Sequence, residues 1–207
     1  MNLVARIISV VFHPLLMATY LFAILAFTLP SALSPIQASG HLGFLLLIFL
    51  VSFVLPALNI GIFRVLGSVQ SLTMYNRSER VVPFSFIAIL YLVVTYLFLS
   101  RFRIGLTDNA MKLMLVIDAL VVISAIVTFF YKVSVHSLGI CGLLGILIPF
   151  NKVAENNQLI IPTVALIIVA GLVMSSRLQL HAHKPREILV GALLGLIIGF
   201  GGVIILF

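Results

Sequence analysis

The chain has 207 residues, 63% of them hydrophobic and only 8% charged, with a formal net charge of +7. A water-soluble domain is about 45–50% apolar and about 25% charged, so this composition excludes an ordinary globular protein and makes lipid the solvent. Backbone groups in hydrocarbon must be hydrogen-bonded internally, which leaves helices or a closed barrel. The apolar runs here are long and unbroken rather than alternating, which selects helices. The twelve Lys and Arg lie in short loops and at segment ends, with no basic tail or interleaved aromatic residues. That argues against a nucleic-acid partner and for topology-setting or headgroup contacts.

Seven apolar segments follow in chain order, at about residues 3–29, 42–66, 82–100, 110–131, 137–150, 159–175 and 188–207. The run after Arg6 is longer than the apolar part of a secretion signal and reads as the first spanning helix. The expected fold class is all-α: a polytopic transmembrane helical bundle of six to seven spanning segments, with residues 1–207 forming a single integral membrane domain. The fifth segment is short and carries Gly139, Gly142 and Gly145; the last carries Gly191, Gly195 and Gly199. Glycines at every fourth position make a smooth stripe on which another helix can pack closely. Cys141 is the single cysteine and reads as a small core residue.

If every segment spans, the loops at residues 67–81, 132–136 and 176–187 share one membrane face with the N-terminus. The densest is Ser176-Arg177-Leu-Gln-Leu-His181-Ala-His183-Lys-Pro185-Arg-Glu187. Pro185 suits the first turn of the helix that follows, which puts His183 just before that helix and Glu187 one turn on. A carboxylate that accepts one ring N–H fixes the imidazole tautomer and leaves the other nitrogen free to attack. A helix start favours an anion, and Arg177 can grip phosphate oxygens in a bidentate fork.

The second element is Lys132-Val-Ser134-Val-His136, with Ser134 a candidate helix N-cap and His136 a candidate general acid. In the third, Asn76-Arg77-Ser-Glu79-Arg80 before Pro83, two arginines form a further phosphate clamp. Ionisable residues at membrane depth are functional candidates by default. Even so, His13 beside Pro14 reads as a helix-kink residue or one that lines a cavity, the first being favoured; Asp118 reads as a buried carboxylate paired with a cation or polar neighbour, with a role in substrate passage as the alternative; and His41 and His181 read as surface residues.

Ser176-Arg177, five residues, His183, three residues and Glu187, followed by a glycine-rich helix, resembles the third motif of the type 2 phosphatidic acid phosphatase (PAP2) superfamily, S-R-x5-H-x3-D, with Glu in place of Asp. Val133-Ser134-Val135-His136 is similar to the second motif, P-S-G-H, keeping Ser and His but carrying Val135 in place of glycine. Arg80 with Pro83, and Arg77 in place of a lysine, is a loose match to the first, K-x6-R-P.

The resemblance implies a PAP2-like core and a membrane lipid phosphate or diphosphate phosphatase, working through a phosphohistidine in a bacterial inner membrane. His183 would be the nucleophile, Glu187 its orienter and His136 the acid. Arg177, Arg80, Arg77, Lys132 and the backbone around Ser134 would hold the phosphate, whose carrier is a membrane lipid. No metal or other cofactor is implied, because the arginines supply the positive charge. The alternative is a non-catalytic PAP2-like membrane subunit or lipid-binding or translocating protein, suggested by the changes at Val135 and Glu187.

Overall fold

Apolar runs of about 20 residues close their backbone hydrogen bonds within themselves as helices, and the described spans are helical, two of them in two pieces. The computed structural model describes residues 2–67, 77–101, 104–154 and 157–207. Among these there are seven helical segments long and apolar enough to cross a membrane and no strand. In order they are α1 (Asn2–Val11) and α2 (Met17–Thr28), joined by a tight turn over Pro14–Leu16; α3 (His41–Phe49) and α4 (Leu55–Val65), joined through a π-helical turn over Leu50–Val54; α5 (Arg77–Arg101); α6 (Asn109–Phe130); α7 (Val135–Val153); α8 (Ile160–Gln179); and α9 (Pro185–Leu206). The α1–α2 pair makes the first span and α3–α4 the second.

Both composite spans break at a proline. Pro14 lacks an N–H and disfavours the helical region for the residue before it, and His13 is accordingly extended, at φ −65 and ψ 139. Pro56 cannot donate to the carbonyl of Ser52, four residues back; that oxygen accepts from the Tyr91 hydroxyl at 3.4 Å instead. Two boundaries differ from the hydropathy reading. α5 starts at Arg77 and α8 runs to Gln179, so Arg80, Ser176 and Arg177 are helical. Hydropathy marks where lipid contact ends, whereas a helix ends at its cap. At α8 the cap is a Schellman turn: the His181 amide donates to Leu178 O and the Ala182 amide to Arg177 O, with His181 in the left-handed region at φ 50. His181 is exposed as expected. His41, expected at the surface, is instead buried, with Nε2 3.2 Å from the Ile36 carbonyl oxygen, because residues 36–40 fold back over it.

α7 is the central helix, with 72% of its spanning window buried. The stripe on α9 packs against it backbone to backbone. A Cβ built on Gly191 would lie 2.5 Å from Ser134 O, and one on Gly195 would meet Leu138 O and lie 2.8 Å from Gly142 N. Only glycine permits that approach. From the other side, a Cβ on Gly145 would lie 2.7 Å from Leu196 O. The expected helix-packing role of both glycine sets is therefore borne out.

Candidate active site

The close fit of α7 on α9 brings the starts of these helices into register. The Ser134 amide, just before α7, donates to the Glu187 carbonyl oxygen at 3.1 Å, stapling together the starts of two helices that lie far apart in sequence. α5 begins on the same face, and α8 ends there. A cavity of about 170 Å³ opens at this junction, lined at its polar end by His13, Arg80, Val135, His136, Arg177 and His183.

His183 and Glu187 form the pair that their spacing predicts. Nδ1 lies 2.7 Å from Glu187 Oε2, with the two side chains 1% and 12% exposed. The same carboxylate oxygen accepts from the Lys184 amide at 3.3 Å, satisfying one of the free amides at the start of α9, which has Pro185 in its first turn. The carboxylate holds the proton on Nδ1, so Nε2 carries the free lone pair, and it makes no hydrogen bond to a described residue. Burial, joined by the guanidinium groups of Arg80 and Arg177, pushes the His183 pKa down to about 4, against the pull of Glu187. The imidazole is therefore neutral at pH 7.

His136 is 8% exposed and sits at the start of α7. Its Nε2 is 3.1 Å from the carbonyl oxygen of Ser9 in α1. A carbonyl only accepts, so Nε2 carries the proton and Nδ1 is the nitrogen left for chemistry. Arg80, 5% exposed, donates to the Val133 carbonyl at 3.4 Å, which fixes its guanidinium beside the α7 start. Arg177, on the last turn of α8, lies within electrostatic reach of Arg80, His13, His136 and His183.

Two expected phosphate contacts are placed otherwise. Ser134 is fully buried: its Oγ accepts from the Ser137 amide at 3.4 Å and from the Ser137 hydroxyl at 3.0 Å, while its own amide is held by Glu187. It is the N-cap of α7, as its position predicts, and no part of the cavity wall. The α7 amides next in line, those of Val135 and His136, have no intrahelical acceptor because they lie in the first turn, and both residues line the cavity. Lys132 is half-buried and is absent from the cavity lining. The Arg77 side chain lies outside the described residues. Among the described residues, no three His, Cys, Asp or Glu side chains are placed to share a metal ion.

His13, favoured in sequence as a kink residue with cavity lining as the alternative, proves to be both. It lines the cavity, and its ring packs edge-on against His136 with centroids 5.4 Å apart. The signal was an ionisable residue beside a proline in mid-span: a broken helix exposes polar atoms only where it borders a cavity. Asp118 is 5% exposed and has a polar neighbour in Thr95, as expected, while its Oδ2 reaches no hydrogen-bond partner among the described residues.

Searches of known family models, curated proteins and solved structures find no match to this chain.

Proposed function

We propose that the protein is a PAP2-like membrane phosphatase that hydrolyses a lipid phosphate or diphosphate through a phosphohistidine. The supporting observation is the His183–Glu187 pair at 2.7 Å, on the wall of a cavity that Arg80 and Arg177 also line. A neutral imidazole with its proton fixed on Nδ1 is a nucleophile at Nε2. Two guanidinium groups and the first-turn amides of α7 supply positive charge where it develops on the phosphoryl oxygens.

In the first step Nε2 of His183 bonds to phosphorus, the P–O bond to the leaving group breaks, and Nδ1 of His136, which takes up a proton when the anionic phosphate binds beside it, gives that proton to the leaving oxygen. Glu187 offsets the positive charge that grows on the phosphorylated ring. In the second step a water oxygen bonds to phosphorus, its proton goes to Nδ1 of His136, and the P–Nε2 bond breaks. Both histidines return to their starting states. The leaving lipid follows the apolar continuation of the cavity past Ile117, Leu120, Leu143 and Ile146.

Phosphate release from lipid phosphates by purified protein in detergent tests the reading. The parent should turn over, and His183→Ala should lose at least about 1000-fold, as removal of a nucleophile does. Equal release by the variant removes His183 from the mechanism. A non-catalytic, lipid-phosphate-binding role has one observation in its favour: the Ser134 amide and hydroxyl are both engaged within the protein. Lipid phosphate binding without turnover, and with no competition by orthovanadate, would select that role.

A further inference from the structure

The break in the first span releases backbone groups that an unbroken helix would have paired. The last bond of α1 runs from the Phe12 amide to the Ile8 carbonyl. Pro14 has no N–H to continue the ladder, and it forces His13 into extended backbone. In a continuous helix the Ser9 carbonyl would accept from the His13 amide, and the Val11 carbonyl from the Leu15 amide. Here each released group finds a side chain instead. The Tyr20 hydroxyl, from α2, donates to Val11 O at 2.8 Å. The Leu15 amide donates to His13 Nδ1 at 3.3 Å. Ser9 O takes the Nε2–H of His136 at 3.1 Å.

The ring of a cavity histidine on α7 is therefore held by a carbonyl of α1, and that carbonyl is available because α1 stops. The turn that stops it is seated on α7 itself, three residues beyond His136. A Cβ built on Gly139 would lie 3.0 Å from Met17 Cγ and 3.7 Å from Pro14 Cα, so the missing side chain at Gly139 lets the broken span come this close.

His183 and His136 have different partners, and the difference suits different tasks. His183 has the carboxylate of Glu187 at 2.7 Å, whose charge offsets the one that grows on a phosphorylated ring. His136 has to bind and release a proton at Nδ1 in each turnover. Its bond to Ser9 O survives both states, because Nε2 keeps its proton whether Nδ1 is protonated or bare. A neutral carbonyl thus fixes the ring and its tautomer without holding it as a cation.

We propose that Pro14 is a positioning residue: by ending α1 it frees the Ser9 carbonyl to fix His136 with its proton on Nε2, which leaves Nδ1 as the acid and base of the reaction. The use made of Nδ1 rests on the phosphatase reading; the origin of the tautomer does not.

The test is nitrogen NMR of the histidine rings at neutral pH, in the parent and in Pro14→Ala. The parent should show His136 protonated on Nε2 and His183 protonated on Nδ1. Alanine lets α1 run on, so the His13 amide takes Ser9 O and His136 becomes a mixture of tautomers. His183, held by Glu187, should keep its Nδ1 signature and serves as the control for an intact site. In the same variant kcat should fall roughly 10- to 100-fold, within the roughly 100- to 10,000-fold that a positioned acid supplies, with KM changed by less than about 3-fold. A second pair reads the bond with the break left in place. The amide nitrogen of His136→Gln stands near the position of Nε2 and keeps the bond to Ser9 O, whereas that of His136→Asn stands near Nδ1 and loses it. His136→Gln should therefore unfold at a higher fraction of denaturing detergent than His136→Asn. An unmoved His136 tautomer in Pro14→Ala, or equal midpoints for the Gln and Asn variants, overturns the proposal. Loss of the His183 signature together with that of His136 also overturns it, by making the break a requirement of folding and not of positioning. A parent that shows both tautomers as expected and releases no phosphate fails the phosphatase reading alone.

Discussion

Replacing Gly195 with alanine tests whether the site is held together by the α7–α9 backbone contact. The added Cβ would sit 2.8 Å from Gly142 N and press on the Leu138 carbonyl. Both are backbone atoms of the most buried helix, so neither can rotate away. Ordinary contact begins near 3.4 Å, so α9 must retreat by about 0.6 Å or more. Overpacking of this kind costs about 1–3 kcal/mol, set against about 1 kcal/mol gained when alanine replaces glycine in a helix. The Ser134–Glu187 staple at 3.1 Å spans the same interface, so the site should loosen as well. Gly201 on the same helix is the control, because a Cβ there meets nothing within 4 Å. Loss of helicity in mixed micelles, titrated with denaturing detergent, reads the stability. Gly195→Ala should unfold at a lower detergent fraction than the parent, and Gly201→Ala at an equal or higher one. Identical midpoints for the two variants would refute the packing argument.

Two further outcomes follow from buried groups. A His183 pKa of about 4 against an ordinary value of about 6.5 means that the unfolded chain takes up this proton first. Stability from this group is therefore present above about 6.5 and is lost as pH falls toward about 4. Histidine NMR should show the His183 ring neutral at pH 6, and Arg80→Gln should shift its titration to higher pH by removing a positive neighbour; a parent midpoint near 6.5 would contradict the burial argument. Asp118, whose Oδ2 reaches no described hydrogen-bond partner beside a cavity of about 20 Å³, carries a desolvation cost that Thr95 only partly offsets, so Asp118→Leu should stabilise the protein by about 1–3 kcal/mol with phosphate release unchanged. A lower unfolding midpoint would mean that the carboxyl has a partner or a packing role in the membrane.

The parts of the fold and site that were legible in sequence are those set by local spacing. Long apolar runs gave the spans, an interval of four gave the glycine stripe, and four residues between His183 and Glu187 placed one side chain over the other across a single helical turn. Span parity brought Arg80, His136, Arg177 and His183 to one face. What was hidden depends on contacts between distant segments. His136 is oriented by the Ser9 carbonyl, 127 residues away, and Arg80 by Val133, 53 residues away; no local pattern encodes either. Ser134 was expected beside phosphate from a resemblance alone, and the glycine stripe pulls α9 so close that the Ser134 amide is taken by Glu187. His13 offered two readings in sequence, a kink residue or a cavity liner, and only the packing of the broken first span against the cavity shows that both hold.

The central claim is that His183 carries the phosphoryl group between the two steps. Protein mixed with a lipid phosphate, quenched in alkali within one turnover and digested for mass spectrometry should yield a phosphorylated peptide containing His183. The modification should be lost on acid treatment and absent from His183→Ala. A parent that releases phosphate but never carries it on His183, or carries it on His136, would contradict the account.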